Sequence, residues 1–152
     1  MSEVSRYVGA TPDTVFAVLA DGWTFGLWVV GAVHVRDVDP EWPAAGAQIH
    51  HSMGAWPLML RDRTEIEHVV DGRSLQLLAN AGVAGSARVV LTLSAEGRGT
   101  RVRMREDAVD GPGTLVPEAL RSAVLDRRNA EALARLDALA LGRARERAPA
   151  QR

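Results

Sequence analysis

The stretch VPEALRSAVLDRRNAEALARLDALALGRARER, residues 116–147, carries one helical pattern with only an early proline and one late glycine. Its apolar side chains recur at the three- and four-residue spacing of a helix face, and its charged residues lie mostly on the other faces. The apolar face holds Leu125, Ala132, Leu133, Leu136 and Ala140. The pattern predicts a long amphipathic helix that lays one face on the rest of the chain.

Six strand-like runs precede this helix. They cover residues 32–39, 47–54, 58–70, 73–80, 86–94 and 100–107 and are rich in valine, leucine and threonine. The breaks between them contain the glycine, proline, asparagine and aspartate that turns need. Strands that follow one another this closely favour an antiparallel meander.

Residues 3–31 add a strand and two short helices. EVSRYVGA, at 3–10, is strand-like, and TPDTVFAVLADG, at 11–22, has Thr11 as a cap, Pro12 in the first turn and Gly22 as a stop. WTFGLWVVG, at 23–31, indicates a second short helical segment. The predicted fold class is therefore α+β: a curved seven-stranded antiparallel sheet wrapped around a long C-terminal helix, with two short helices between strands 1 and 2.

Aromatic residues are too few to fill the space under such a helix. The chain has four Trp, two Phe and one Tyr, and the sheet region after Trp56 has none. Smaller apolar side chains must line the concave face, so we expect a cavity there.

Composition excludes several functional classes. The 152 residues fit one domain, at 1–147, followed by a disordered tail at 148–152. A net charge of −1 argues against nucleic acid as a partner, and no apolar run is long enough for membrane insertion. Cysteine and lysine are absent, which excludes disulfides, thiolate nucleophiles and lysine Schiff bases. The use of arginine alone is typical of a GC-rich bacterial genome, and the lack of a visible secretory signal predicts a cytoplasmic location.

Strand alternation places one of two adjacent histidines on the cavity side. His51 shares a face with Ile49 and Met53, whereas His50 should point to water. Neighbouring residues on a strand cannot converge on one metal ion, so we expect neither a metal nor a cofactor.

A carboxyl and a hydroxyl share the more apolar face of the next run. A turn near residues 54–59 would put Asp62 opposite or diagonal to His51, with Thr64 on the same side. Asp62 could then orient the imidazole and raise its basicity, which would give a general base. Two other interpretations stay open: a buried pair that satisfies itself, or direct contact with a ligand.

Two more polar side chains are predicted to face inward. Glu106 could act as a desolvated acid or pair with an arginine, and Asn129 could bind a ligand or a backbone carbonyl. The tryptophans before residue 57 either anchor loops or form an aromatic gate at the cavity mouth. The candidate catalytic residues are thus His51, Asp62 and Glu106, and the candidate ligand-binding residues are Trp23, Trp28, Ile49, Met53, Trp56, Thr64, Met104, Leu125, Asn129 and Leu133.

The chain resembles the SRPBCC superfamily, also called START-like or polyketide cyclase/dehydrase-like, over residues 3–143. The resemblance rests on ATPDTVFAVLAD in the first helix, on WVVGAVHVRDVDP, GAQIHHSMGAWPL, DRTEIEHV and GTRVRMRED in the strands, and on RNAEALARLDALA in the closing helix. It implies a helix-grip fold that holds an apolar ligand between the sheet and the long helix. The superfamily contains both carriers and enzymes and has no shared catalytic motif, so no residue role transfers.

Three functional hypotheses follow. The first is binding of a small hydrophobic ligand of aromatic or polyketide-like type. The second is a polyketide cyclase/dehydrase-type enzyme, with His51 as general base assisted by Asp62 and with Glu106 as acid. The third is a protein-interaction module that uses the arginine-rich strand faces and the helix, and an exposed sheet edge would also allow a homodimer.

Overall fold

A computed structural model describes residues 1–55, 57–80 and 82–149. The strands are β1 (Ser2–Val8), β2 (Ala32–Val38), β3 (Gln48–Ala55), β4 (Leu58–Val70), β5 (Ser74–Asn80), β6 (Ser86–Glu96) and β7 (Gly99–Asp110). The helices are α1 (Pro12–Leu19), α2 (Phe25–Trp28) and α3 (Glu118–Arg147). Short 3₁₀ turns lie at Gly22–Thr24, Gly82–Ala84 and Pro112–Leu115. The predicted order and type of the elements are confirmed.

The seven strands form one curved sheet in the order β1-β7-β6-β5-β4-β3-β2, and each neighbouring pair is antiparallel. β1 and β2 are therefore the two edge strands, and α1 and α2 connect one edge to the other. The long helix α3 contacts β1, β7, α1 and α2. This arrangement leaves space between the middle of the sheet and the first half of α3.

The helix α1 begins as its sequence signals predict but ends sooner. The Thr11 hydroxyl accepts a hydrogen bond from Thr14 N at 3.3 Å, and Pro12 occupies the first turn. The helix ends at Leu19, whereas the predicted stop, Gly22, opens the following 3₁₀ turn. A Cβ on Gly22 would lie 2.5 Å from Val38 Cγ1, so the glycine allows close packing of this turn against β2.

The apolar stripe of α3 closes the core. Ala132, Leu133, Leu136 and Ala140 are buried on this stripe, together with Asn129. The helix starts at Glu118 rather than at residue 116 because Val116 and Pro117 both have ψ near 133°, outside the helical region. Residues 150–152 of the predicted tail lie outside the described residues. Among the helices that are described, none is long and apolar enough to cross a membrane.

Candidate functional site

A cavity of about 290 Å³ lies between the concave face of the sheet and α3. Its lining is mostly apolar and includes Phe25, Trp28, Met53, Leu77, Val89 and Met104. The polar side chains in the lining form three groups: one on the β3–β4 wall, one beneath α3 and one at the mouth. The cavity expected from the shortage of aromatic residues is thus present.

The β3–β4 wall places His51 and Asp62 side by side. The two residues are direct partners in the antiparallel register, and both line the cavity. His51 is only 1% exposed, and its ring centroid lies 4.9 Å from that of Phe25 in α2. This juxtaposition is the one that alternation and the predicted turn indicated.

The hydrogen bond of the imidazole goes to Thr64 rather than to Asp62. His51 Nε2 lies 2.9 Å from Thr64 Oγ1, and His51 Nδ1 has no partner among the described residues. Asp62 Oδ1 instead accepts a hydrogen bond from Arg63 N at 2.6 Å. The prediction that Asp62 orients the imidazole is therefore corrected: the hydroxyl of Thr64, diagonal to His51 across the pair of strands, reaches Nε2.

Burial shifts the two titratable groups in opposite directions. Desolvation, with smaller effects of Arg36 and His50 and against a small opposite effect of the Ser52 backbone, lowers the pKa of His51 from 6.5 to about 4. Desolvation raises the pKa of Asp62 from 3.8 to about 6, against a smaller opposite effect of the Arg63 backbone. At neutral pH the imidazole is therefore neutral, and Asp62 is the member of the pair that titrates near neutrality.

Arg36 holds the backbone of this wall in place. Its guanidinium lies at 3.1 Å from the carbonyl oxygen of His51 and at 3.4 Å from that of Asp62, and it donates to both. Because β2 carries Arg36, this side chain links three neighbouring strands where the two polar side chains meet.

A second polar group lies beneath α3. The Arg128 guanidinium forms an ion pair with Glu106, a residue that is only 4% exposed. Asn129 Nδ2 donates to Glu106 Oε2 at 2.8 Å and to Ser2 Oγ at 3.2 Å, and Ser2 Oγ donates to Asp126 at 2.6 Å. Glu106 thus pairs with an arginine, as one of its two interpretations held. The Asn129 amide joins β1 and β7 instead of binding a backbone carbonyl.

The mouth of the cavity contains residues that sequence reasoning missed. Ser86 donates from its backbone N and its hydroxyl to the Asp110 carboxylate, at 2.8 and 2.7 Å. Gly85 beside them has φ +99°, and a Cβ there would lie 2.3 Å from Asp110 O, so only glycine fits this approach. Arg121 donates to Gly113 O at 3.0 Å. The sequence predicted that the last strand ends at residue 107, whereas β7 continues to Asp110 at the mouth of the cavity.

The candidate ligand-binding residues separate into four sets. Trp28, Met53, Thr64, Met104, Leu125 and Asn129 line the cavity. Ile49 and Leu133 are buried outside its described lining: Ile49 packs near Gly22 on the α1–α2 side. Trp23 is 60% exposed because its 3₁₀ turn, capped by Asp21, points it to solvent, so its predicted role in the site is corrected. Trp56 lies outside the described residues.

The described side chains include no group of three His, Asp or Glu residues placed to hold a metal ion. The polar side chains in the cavity lining offer hydrogen bonds, charge and a desolvated carboxyl to a ligand.

No protein-family model and no curated protein sequence matches this chain. Solved structures do resemble it. CV1439 from Chromobacterium violaceum is 17% identical, with a TM-score of 0.70 over 90% of this chain and 94% of CV1439. CalU16 from Micromonospora echinospora is 16% identical, with a TM-score of 0.62 over 95% of this chain and 81% of CalU16.

StfQ, a di-domain ARO/CYC from the steffimycin biosynthetic pathway, is 13% identical, with a TM-score of 0.68. The match covers 93% of this chain and 50% of StfQ. These similarities, together with the sheet order and the position of α3, show that the chain has a helix-grip fold.

Proposed function

We propose that the protein binds a small, mainly apolar molecule in the cavity between the sheet and α3. The observation that carries this proposal is a space of about 290 Å³ with an apolar lining and a few localised polar groups. Small-molecule sites combine these two features, because apolar walls supply affinity and polar groups set orientation.

The volume of the cavity limits the size of the ligand. An apolar cavity of about 150 Å³ accommodates benzene, so a cavity about twice as large suits a one- or two-ring compound of about a dozen non-hydrogen atoms. At about 0.5–0.6 kcal/mol per atom, such a compound would bind with a Kd near 10 μM. The likeness of fold to StfQ, an ARO/CYC of a biosynthetic pathway, is compatible with a ligand of aromatic or polyketide-like type.

A matched pair of helix variants tests the proposal. Ala132 lines the cavity and is 3% exposed, whereas Ala130 lies on the exposed side of the same helix. We expect tetralin to bind the parent protein in isothermal titration calorimetry, Ala132→Phe to weaken binding at least tenfold and Ala130→Phe to leave it unchanged. Far-UV circular dichroism checks that both variants fold. Absence of tetralin binding, or equal binding by the two variants, would contradict the proposal.

A second candidate function is proton transfer on a carbonyl compound, as a cyclase/dehydrase-type enzyme would require. The observation that favours it is Asp62, whose pKa of about 6 lies near physiological pH inside the cavity. His51 is the weaker base of the two because its pKa is lowered to about 4. In this version of the hypothesis Asp62 accepts the proton and neutral His51 supplies a hydrogen bond.

Isotope exchange tests this second candidate. We expect the protein to accelerate incorporation of deuterium from D₂O at the carbon next to the carbonyl of 1-tetralone, measured by proton NMR. Asp62→Asn should abolish the acceleration, and Ser94→Ala, on the exposed face of β6, should retain it. An exchange rate that Asp62→Asn leaves unchanged would rule out Asp62 as the base.

A further inference from the structure

We infer that His51 and Asp62 together form a subsite for one hydroxyl group of the ligand, which donates a hydrogen bond to Asp62 and accepts one from His51. The inference rests on the proposed function and narrows it to apolar ring compounds that carry a phenolic or alcoholic hydroxyl.

The Asp62 carboxyl supplies the acceptor. It lines the cavity, and its Oδ1 already accepts from Arg63 N, which leaves Oδ2 without a partner among the described residues. A carboxylate has only acceptor sites, so it selects a ligand group that can donate. Charge makes such a bond about twice as strong as a neutral one.

His51 supplies the donor. The imidazole is neutral near pH 7 and carries one ring hydrogen. If that hydrogen were on Nε2, the hydroxyl hydrogen of Thr64 would have no acceptor among the described residues, because Nε2 is the contact that this hydroxyl makes. The arrangement that uses both groups has Thr64 donating to Nε2, which places the hydrogen on Nδ1.

That Nδ1–H is a buried donor with no partner in the described part of the chain. Leaving such a group unsatisfied is costly, and an oxygen of a bound ligand would satisfy it. Because His51 and Asp62 are directly opposed in the sheet, their Cβ atoms lie about 5 Å apart. One hydroxyl can therefore bridge the donor and the acceptor, and the remaining apolar lining accommodates the ring that bears it.

Three probes of similar size separate the contributions in calorimetric titrations at pH 7.5. Tetralin has no polar group, 5,6,7,8-tetrahydro-2-naphthol can donate and accept, and 6-methoxytetralin can only accept. We expect the naphthol to bind about tenfold more tightly than tetralin, the value of one additional charge-assisted hydrogen bond. The ether should show no such gain, because it cannot donate to Asp62.

Variants locate the gain in the protein. Asp62→Leu should remove the naphthol's advantage while leaving tetralin binding in place, and His51→Leu should reduce it. Ser94→Ala, on the exposed face of β6, should keep it in full. Tetralin affinity in each variant shows that the cavity has survived the substitution.

The outcomes separate failure of the hydroxyl subsite from failure of ligand binding in the cavity. If tetralin binds but the naphthol has no advantage, or if Asp62→Leu retains that advantage, the subsite is wrong and the apolar cavity stands. If tetralin itself does not bind the parent protein, the proposed function fails and the subsite fails with it.

Discussion

Replacing Asp62 by asparagine should stabilise the protein at neutral pH and lose its effect in acid. Asp62 is 6% exposed, and its pKa is raised from 3.8 to about 6 because burial disfavours the charged form. The asparagine side chain keeps an oxygen that can accept from Arg63 N, so the substitution removes the charge and preserves the local hydrogen bond.

The size of the effect follows from proton linkage. A native pKa above the unfolded value means that the native state gains stability as the pH falls from about 6 to 3.8, and that the ionised carboxyl opposes folding above that window. The cost of the ionised group is about 3 kcal/mol at pH 7.5, about 1.5 kcal/mol at pH 5 and about 0.5 kcal/mol at pH 4. The advantage of Asp62→Asn over the parent should follow these values.

Urea unfolding followed by far-UV circular dichroism, at pH 7.5, 5 and 4, measures the difference. Every other group titrates in both proteins, so subtraction isolates Asp62. The opposite shift of His51, from 6.5 to about 4, removes native stability as the pH falls through that range and should make the acid loss of Asp62→Asn steeper than that of the parent. A stability gain that does not change with pH, or a loss at pH 7.5, would refute the reasoning.

Three further substitutions test other parts of the structure in urea unfolding. Arg88→Ala should destabilise the protein slightly at pH 7, and the cost should vanish as the pH falls from 4.5 towards 2, because Arg88 lowers the pKa of Glu67 to about 2 and this stabilisation is lost when Glu67 is protonated. A cost unchanged at pH 2 would contradict the ion pair. Arg128→Met should lower the free energy of unfolding by about 2–3 kcal/mol because it leaves the buried Glu106 carboxylate without its cation. An unchanged free energy of unfolding would show that Arg128 and Glu106 do not form this ion pair. Leu136→Ala, at a fully buried position on α3, should lower the free energy of unfolding by about 2–5 kcal/mol. A loss below 1 kcal/mol would contradict the packing of α3 against the core.

The secondary-structure elements and the inward-facing residues could be predicted from the sequence, because the spacing of apolar residues determines both the type of element and the face on which each side chain lies. The alternation of side chains along a strand predicted that His51, Asp62, Thr64 and Glu106 face the concave side, and all four line the cavity. The helical spacing likewise put Asn129 on the buried face of α3. These assignments depend only on which way a side chain points from its backbone.

The hydrogen-bond partners could not be predicted in the same way. Whether His51 bonds to its direct neighbour or to a diagonal one depends on rotamers, and the structure selects Thr64. Arg128 was missed as a lining residue because an arginine on a helix is typical of the solvated face, whereas here its guanidinium turns inward to Glu106. Asp110 was missed because β7 continues three residues past the predicted end of the strand.

The most direct test of an apolar ligand site beneath α3 uses the methionine methyl groups as internal reporters. Met53 and Met104 line the cavity, whereas Met59, on the neighbouring strand β4, is 44% exposed. With ¹³C-labelled methionine methyl groups, titration with tetralin should shift the signals of Met53 and Met104 in a saturable way and leave Met59 unchanged. Equal small shifts at all three, or shifts at Met59 alone, would contradict binding in the cavity.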